Sequence, residues 1–569
     1  MFSILFSKTP QPALYSYCTT ALLGLLFLFF YFPLPASDSG SNSCYATSHF
    51  SSINFWGEAT STEEQALLPQ VLAQEADHIF YADSLYRFYA RRGFTPIWTL
   101  NSEIPAQTLE FLTCIEQTKS NGLLPDDYHY GSIVRILDKA RAESLPMDTL
   151  LNLDLLLSDA FLLMAKHYSQ GKVNPDKANV AWHLTKRYFN PVSYFEKVLR
   201  SGQNTCDALE SLLPAYSGYQ DLKTMLVAYE QMGDWGELPN RYNLYLQKGD
   251  ADPMVSDVKQ RLLLSGDYPA NASTDMIFNK ELETAVMNFQ RRHGLHYDGI
   301  VRYTTVQMLN VPRMERLHQI TANLERWRWV PEQLGSRYIL INIPSFELEM
   351  LDGGNTLYRE NIIVGRENYP TPSFSDSITY IVLNPFWYMP KSIAEAELKP
   401  AVEFDPGYLV NNDVKVFKGG KSINPTTVDW KKAKWSDYTF AQGPSAYNPM
   451  GVVKFMFPNK YDIYIHDTPS RELFNNSRRS YSHGCIRVND PVKFAAFLLQ
   501  NNPDWDSTTI RKVLFSQKET KVNLTKSIPI HLMYWTAYVD KQTNLVNFRE
   551  DLYKWDFQLY EALTKRLVH

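Results

Sequence analysis

The sequence predicts a multi-domain α+β protein with a helical scaffold, a small three-helix unit and a β-rich domain that carries an inserted cap. A length of 569 residues is enough for about three or four domains of ordinary size. Apolar residues follow helical spacing over the first half of the chain and alternate with polar residues from about Arg337 onward. A hydrophobic content of 44% is typical of globular proteins and excludes a disordered chain.

The first 40 residues are predicted to be a signal peptide or an uncleaved signal-anchor. Residues 9–37 carry no charge, and Ala21–Phe32 form an apolar core. Either interpretation exports the rest of the chain. Residues 41–62 are rich in serine and are predicted to be a linker. The net charge of −5 is small for this length and argues against general nucleic-acid binding.

Residues 63–250 are predicted to form the helical scaffold. Residues 151–168 have the pattern of a long apolar helix that ends at Gly171. An exported chain meets an oxidising compartment, in which Cys114 and Cys206 could form a disulfide. Two buried free thiols are the alternative, and the sequence leaves both open.

Residues 251–312 are predicted to form the three-helix unit. Val255, Val258 and Leu262 repeat at helical spacing in its first helix, and two further helical segments follow. Residues 313–336 continue the helical pattern and are predicted to connect this unit to the β-rich domain.

The β-rich domain is predicted to span residues 337–545 and to contain at least six strands. Phe346, Leu348 and Met350 alternate with glutamates, as in a strand with one buried face. The other strands are expected in apolar or alternating runs at 338–343, 358–364, 378–384, 451–457, 461–466 and 528–539.

Two further segments complete the domain organisation. Residues 390–442 contain charged, Gly and Pro stretches between two strand runs, and we interpret them as an inserted cap over a cleft; an ordinary long surface loop is the alternative. Residues 546–569 are predicted to be a C-terminal helix. Asp490 and Pro491 have the types preferred at a helix N-cap and first position, so a helix is expected there.

The candidate site lies within residues 461–490. His466 ends a run predicted to be a buried strand, and Cys485 follows nineteen residues later in Ser482-His483-Gly484-Cys485, just before the helix signal. A free thiol has a pKa of about 8.5, so a nucleophilic cysteine needs a neighbouring base, which His466 could supply. Gly484 lets the backbone bend sharply there, and backbone N–H groups at such a turn can stabilise an oxyanion.

This stretch resembles the catalytic signature of the L,D-transpeptidases with a YkuD-type domain. Their pattern is a His, a spacer, Ser/Thr-His-Gly-Cys, and an Arg two residues further on, which is Arg487 here. The helical block and the cap are similar to those of the large, multi-domain, YcbB-like branch of this family. Residues 251–312 resemble a peptidoglycan-binding domain, through Phe289-Gln290, His293-Gly294-Leu295 and Asp298-Gly299, with a spacer that binds nothing as the alternative.

The resemblance implies acyl transfer without a cofactor. Cys485 would be the nucleophile and His466 the general base, acting on a tetrapeptide stem of peptidoglycan with release of D-Ala. An amine of a second stem would then resolve the thioester and leave a 3–3 cross-link. The backbone of Cys485, with groups near His483 and Gly484, would form the oxyanion hole.

The remaining residues of the site are predicted to bind or shape the substrate: Tyr464, Ser482, Arg487, Asn448 and Gly451. Arg487 either binds a carboxylate through its planar fork or braces the turn. Asn448 and Gly451 match family positions at which shape is more expected than chemistry. Asp467 follows His466 on the predicted strand and would face away, so a backbone carbonyl is expected to orient His466.

The partners implied by the resemblance are peptidoglycan stem peptides and glycan, with carbapenems as inhibitors and no nucleic acid. The expected compartment is the periplasm, with the N-terminal segment anchored in the inner membrane or removed by cleavage.

Three other functions compete with transpeptidation. A carboxypeptidase or endopeptidase would use water on the same stems, and a non-catalytic wall-binding protein would keep only the fold. A metal site of His466, His483 and Cys485 is disfavoured because no fourth ligand stands at a convincing spacing, so no metal is expected.

Overall fold

The computed structural model describes residues 61–99, 103–178, 180–185, 187–445 and 447–567. The predicted signal segment, residues 1–40, lies outside this range, as does the predicted linker up to residue 60. Within the described part of the chain, no helix is both long and apolar enough to cross a membrane.

The helical scaffold packs around its longest helix, which is buried on almost every side. Its helices are α1 (Thr62–Gln74), α2 (Ala82–Arg91), α3 (Ala106–Glu116), α4 (Tyr130–Ala142), α5 (Met147–Gln170), α6 (Pro191–Ser201), α7 (Thr205–Glu210) and α8 (Ser217–Gln231). Buried Asp154 of α5 accepts hydrogen bonds from the N–H groups of Ile97 and Thr99, both at 2.9 Å. Cys114 of α3 and Cys206 of α7 form a disulfide with their Cα atoms 5.9 Å apart, so the alternative of two free thiols is excluded.

The three-helix unit has the helices that the sequence predicts and a small ribbon that it does not. Its elements are β1 (Tyr245–Leu246), α9 (Pro253–Leu264), α10 (Lys280–Arg292), β2 (Val301–Arg302) and α11 (Tyr303–Leu309). Strand β1 pairs antiparallel with β2 from outside the predicted range, and the unit encloses a hydrophobic core of its own.

Helix α12 (Arg313–Arg328) joins this unit to the β-rich domain, as predicted. Trp327 near its end stacks on Trp535 of the β-rich domain, with ring centroids 4.2 Å apart. One continuous hydrophobic core therefore runs from the helical scaffold through α12 into the β-rich domain.

The β-rich domain contains a closed barrel. Its strands, including those of the cap, are β3 (Arg337–Asn342), β4 (Glu347–Asp352), β5 (Asn355–Gly365), β6 (Phe374–Leu383), β7 (Trp387–Tyr388), β8 (Val414–Lys418), β9 (Lys421–Ile423), β10 (Tyr438–Gln442), β11 (Val453–Met456), β12 (Ile465–His466), β13 (Ser480–Ser482), β14 (Ile486–Val488), β15 (Thr520–Met533), β16 (Ala537–Val539) and β17 (Val546–Phe548). Nine of them form one sheet in the order β13-β5-β14-β12-β11-β6-β15-β3-β4, and β4 also pairs with β5, which closes the ring.

The predicted insertion at 390–442 is a separately folded cap. Besides its strands it contains the short helices α13 (Lys391–Ile393), α14 (Lys399–Phe404) and α15 (Tyr408–Asn411). Its four strands form a sheet in the order β7-β10-β8-β9, and its apolar side chains form a third core. The alternative of an ordinary surface loop does not fit a segment with its own sheet and core.

Two predictions at the C-terminal end of the domain are wrong. The predicted strand 528–539 breaks after Met533, because the N–H groups of Trp535 and Thr536 leave the sheet and donate to the side chains of Asn342 (2.9 Å) and Asn323 (3.0 Å). The predicted helix 546–569 begins with strand β17, which pairs with β16.

Three helices complete the domain: α16 (Pro491–Leu498), α17 (Ser507–Phe515) and α18 (Trp555–Thr564). The predicted N-cap of α16 is confirmed, since the Asp490 side chain accepts a hydrogen bond from the N–H of Lys493 at 3.0 Å.

Candidate active site

Strand pairing brings the predicted base and nucleophile onto neighbouring strands. Strands β12 and β14 run parallel, with Ile465 opposite Ile486 and His466 opposite Arg487. Cys485 lies immediately before β14, and the N–H of Ile486 donates to the carbonyl of Tyr464 at 3.0 Å. The nineteen-residue connection therefore places Cys485 beside Tyr464, two residues out of register with His466.

A lysine that the sequence did not single out completes a row across three strands. Lys454 of β11 lies opposite His466, so Lys454, His466 and Arg487 stand side by side on one face of the sheet. Their chain neighbours Val453 and Ile465 are fully buried in the core, which puts the row on the outer face of the barrel. No sequence motif marks Lys454, because its position depends on cross-strand register.

The predicted strand before His466 is wrong over most of its length. Only Ile465 and His466 belong to β12. The Asn459 side chain accepts hydrogen bonds from the N–H groups of Tyr461 (3.0 Å) and Ile463 (3.2 Å), and Asp462 has a left-handed φ of 54°. This loop directs the Asp462 carbonyl to the site, where it accepts a hydrogen bond from Cys485 Sγ at 3.6 Å.

The turn that carries the nucleophile is braced internally. Ser482 Oγ donates to the carbonyl of Cys485 at 2.5 Å and accepts from the N–H of Gly484 at 3.1 Å. Gly484 has a φ of 110°, which an L side chain rarely adopts. Ser482 is buried and positions the turn, and its predicted contact with substrate stays a prediction. The Gly484 N–H is committed to Ser482 and is not a free oxyanion donor.

A second set of hydrogen bonds fixes the same turn from distant parts of the chain. Thr371 Oγ1 donates to the Gly484 carbonyl at 2.6 Å and accepts from the N–H of Gly365 at 3.0 Å. The Tyr553 hydroxyl donates to the Gly365 carbonyl at 2.9 Å and accepts from the N–H of Thr371 at 3.2 Å. No sequence motif marks Thr371, which lies 113 residues from Gly484, or Tyr553, whose partner Thr371 lies 182 residues from it.

His466 is neutral at physiological pH. Burial, followed by the charge of Arg487 and a smaller effect of Lys454, lowers the pKa of His466 to about 3. The backbone of Asp467 and that of Pro449 act on this pKa in the opposite direction, while the orientation of His466 by a carbonyl stays a prediction. Nδ1 nevertheless makes no hydrogen bond to any described residue.

The thiol is also neutral in the resting site. Burial raises the pKa of Cys485, while hydrogen bonding to Tyr464 and the charges of Lys454 and Arg487 lower it in part. Cys485 and His466 share no hydrogen bond in the described structure, so the pair is a neutral thiol beside a neutral imidazole.

Tyr464 contacts three members of the site. Its ring centroid lies 5.6 Å from that of His466, and Lys454 Nζ stands 3.7 Å from the Tyr464 centroid. Burial, followed by the nearby Cys485, raises the pKa of Tyr464, so its hydroxyl remains protonated. Tyr464 lies just outside β12 and packs beside His466, and its contact with substrate stays a prediction.

His483 faces the cap. Its Nε2 lies 2.7 Å from Nη2 of Arg366 and 3.4 Å from a carboxylate oxygen of Glu397, which belongs to the cap. Burial, followed by the charge of Arg366, lowers the pKa of His483. The residue beside the nucleophile is therefore a point of contact between barrel and cap.

Asn448 and Gly451 form the joint between the cap and the barrel. The Asn448 amide donates to the carbonyls of Pro385 (2.8 Å) and Gly443 (3.1 Å), and its oxygen accepts from the N–H of Met450 at 2.8 Å. Gly451 has a φ of 58°, and an added Cβ would stand 2.2 Å from Asp467 Oδ2. Both side chains shape the backbone here, the role that was expected of them over chemistry, and their contact with substrate stays a prediction.

The Asp467 side chain turns away from His466, as expected. It accepts hydrogen bonds from the N–H groups of Val452 (2.8 Å) and Thr468 (2.6 Å). Arg487, in contrast, has a buried Nε without a hydrogen-bond partner among the described residues.

Comparison with known families assigns three parts of the chain. Residues 336–522 match the L,D-transpeptidase catalytic domain of the YkuD type, residues 251–309 a putative peptidoglycan binding domain, and residues 83–226 a scaffold domain. The chain is homologous to a putative L,D-transpeptidase of Haemophilus influenzae, with 32% identity over 248 residues that cover 42% of this chain and 48% of the relative. It thus spans about half the length of that relative.

Two solved structures were also matched. An L,D-transpeptidase from Xylanimonas cellulosilytica is 13% identical over 52% of this chain and 100% of its own, with a TM-score of 0.15. An L,D-transpeptidase from Stackebrandtia nassauensis is 12% identical over 51% of this chain and 94% of its own, with a TM-score of 0.21. Neither TM-score is high enough to bear on the site.

Proposed function

We propose that this chain, which carries a YkuD-type L,D-transpeptidase catalytic domain and a peptidoglycan-binding domain, forms 3–3 cross-links in peptidoglycan. The proposal rests on the pairing of β12 with β14, which sets Cys485 two residues out of register with His466 on the neighbouring strand. A nucleophile and a base held in this way can split an acyl transfer into two lower barriers.

In the first half-reaction, Cys485 Sγ attacks the carbonyl carbon of the third residue of a tetrapeptide stem while His466 takes the thiol proton. The bond to the terminal D-Ala then breaks, His466 returns the proton to the leaving amine, and a thioester remains. In the second half-reaction, the amine of another stem attacks the thioester and gives its proton to His466. The C–S bond breaks, and the sulfur regains a proton from His466. General-base help of this kind is typically worth about 10²–10⁴-fold in rate.

The electrostatics of the site suit this sequence. At neutral pH His466 is in the unprotonated form that a general base requires, because burial and the charge of Arg487 lower its pKa to about 3. The same low pKa makes the resting imidazole a weak base, and the negative charge that develops beside it during attack would raise this pKa as the proton transfers. Negative charge develops on sulfur and on the substrate oxygen beside Lys454 and Arg487, which flank His466. Of the two predicted roles of Arg487, we favour carboxylate binding, because its buried Nε has no partner among the described residues.

Two features favour transfer over hydrolysis. The cap reaches the rim of the site at Glu397 and His483, where it can cover the thioester and exclude water. The three-helix unit can hold a second glycan strand in place, and a positioned acceptor competes with water because effective molarities reach about 10⁵–10⁸ M. A carboxypeptidase or endopeptidase would need neither feature.

The direct test is to mix tetrapeptide donors with an excess of amine acceptor and resolve the products by mass, with Cys485→Ala as the inactive control. We expect 3–3 dimers. Tripeptide alone would reassign the protein to a carboxypeptidase, and no turnover with an unreactive Cys485 would favour a non-catalytic wall-binding protein. A carbapenem should add its mass to the wild type and not to Cys485→Ala.

We also propose a periplasmic location with residues 1–40 as the export signal or inner-membrane anchor, since both assigned domains act on peptidoglycan. A reporter fused after residue 60 should work only outside the inner membrane. Activity of that fusion confined to the cytoplasm would contradict this location.

A further inference from the structure

A small cavity lies where the three-helix unit meets the rest of the chain. It has a volume of about 20 Å³ and sits between α9 and α10 of the unit, the start of α12, and strand β17. The groups around it include three arginines, Arg261, Arg292 and Arg316. No step of the proposed reaction uses this cavity, which is lined by none of the catalytic residues.

All three arginine residues are more than nine-tenths buried, with exposures of 6%, 6% and 7%. Arg292 has a carboxylate partner, because its Nε donates to Asp267 at 2.7 Å. Arg261 and Arg316 form no ion pair with any described residue. Buried charges in proteins are normally paired, so two of the three positive charges lack the compensation that burial requires.

The hydrogen bonds of these two arginines use only neutral groups. Arg261 donates from Nε to the Leu309 carbonyl at 2.9 Å, and its buried Nη1 has no partner among the described residues. Arg316 donates to Gln319 Oε1 at 3.2 Å and to the Met308 carbonyl at 3.3 Å. Arg261 thus lines a cavity that is already positive and keeps one buried N–H without a partner among the described residues.

The other groups at the cavity add no counter-charge. Arg261 lies over the ring of Trp235 at 3.6 Å, and Arg316 over that of Phe548 at 4.5 Å, which shields them from water. Burial lowers the pKa of Arg261 to about 9, with a contribution from Arg316, and that of Arg316 to about 10. Burial also holds the pKa of His293 well below its usual value, so that residue is neutral.

We propose that this cavity binds one small monovalent anion, such as chloride. An anion at this position would accept the free Arg261 N–H and neutralise part of the charge of Arg261 and Arg316. The cavity volume restricts the ligand to a single small ion and excludes phosphate or a peptide carboxylate. Because Arg261 belongs to α9 and Arg316 to α12, the ion would fasten the three-helix unit to the body of the protein.

In the test, the protein is held in gluconate buffer at constant ionic strength, and chloride or bromide is added in increasing amounts. If the halide binds only the folded state, the unfolding equilibrium constant should fall about a hundredfold when the halide concentration reaches 100 times its Kd. This stabilisation is measured as a rise in Tm with increasing halide concentration. Arg261→Met keeps a side chain over Trp235 without the charge and should abolish the rise. Arg291→Met, on the exposed face of the neighbouring helix α10, should retain it.

Anomalous scattering from a crystal soaked in bromide gives a second measurement on the wild type, which remains decisive if Arg261→Met does not fold. A bromide peak beside Arg261 Nη1 is expected. A halide-independent Tm together with a water and no anomalous signal in the cavity would overturn the proposal. So would a rise in Tm of equal size in Arg261→Met, because the halide would then act elsewhere.

Discussion

Lowering the pH from 7 to 5 should leave the acylation rate of Cys485 almost unchanged. The proposed base, His466, has a pKa of about 3 because it is buried beside Arg487 and Lys454. A His with a folded pKa below its usual value loses its basic form only as the pH falls through that lower value. His466 would therefore be about 99% neutral at pH 5.

The contrast with an unperturbed histidine is large. At a pKa of about 6.5, the neutral fraction falls from about three quarters at pH 7 to roughly 3% at pH 5, a loss of about 25-fold. The measurement is kcat/KM for D-Ala release from a tetrapeptide donor between pH 4 and 8, since this ratio reports the pKa values of the free enzyme. Circular dichroism at each pH separates loss of the base from unfolding.

Two substitutions test the cause of the shift. Arg487→Gln removes the charge with the largest effect on the pKa of His466 and should move the acid limb of the kcat/KM profile to higher pH. Burial should still hold the midpoint of that limb below about 6.5. Lys521→Gln is the matched control. Lys521 lies on a strand more distant from His466, with its Nζ 4.1 Å from the centroid of the Tyr380 ring, so its loss should leave the acid limb of the pH profile in place. A wild-type midpoint near 6.5 with an intact fold would refute the reasoning.

Two other predictions concern the thiols. Lys454→Gln should slow alkylation of Cys485 by a neutral haloacetamide at fixed pH, because the charge of Lys454 lowers the pKa of that thiol. The control variant Lys521→Gln should react at the wild-type rate. Equal slowing in both variants would point to a general effect on the fold. Replacing both Cys114 and Cys206 by Ser should lower the free energy of unfolding of the scaffold by roughly 4–5 kcal/mol, since the disulfide closes a loop of 92 residues. Denaturant titration of this variant and of the oxidised wild type measures the difference, and an unchanged midpoint would contradict the prediction.

The local patterns of the sequence predicted much of the fold. Helical spacing predicted the scaffold, the three-helix unit and α12, and alternation predicted the strands from β3 to β6 and β11 to within a few residues. Whether such a segment forms a helix or a strand depends on the spacing of its apolar residues, and this spacing can be read within the segment itself. The predictions failed where side chains bind the backbone, as Asn459 does before β12 and as Asn342 and Asn323 do after β15.

The sequence alone determined the two residues proposed to do the chemistry, because Cys485 and His466 stand in a contiguous signature with fixed spacing. Only the tertiary structure decided what surrounds them. Lys454 reaches the site through strand register, and Thr371 and Tyr553 reach the nucleophile turn through hydrogen bonds across more than 100 residues. Contacts of this kind depend on how distant strands are aligned when the barrel closes, and no short stretch of sequence encodes that alignment.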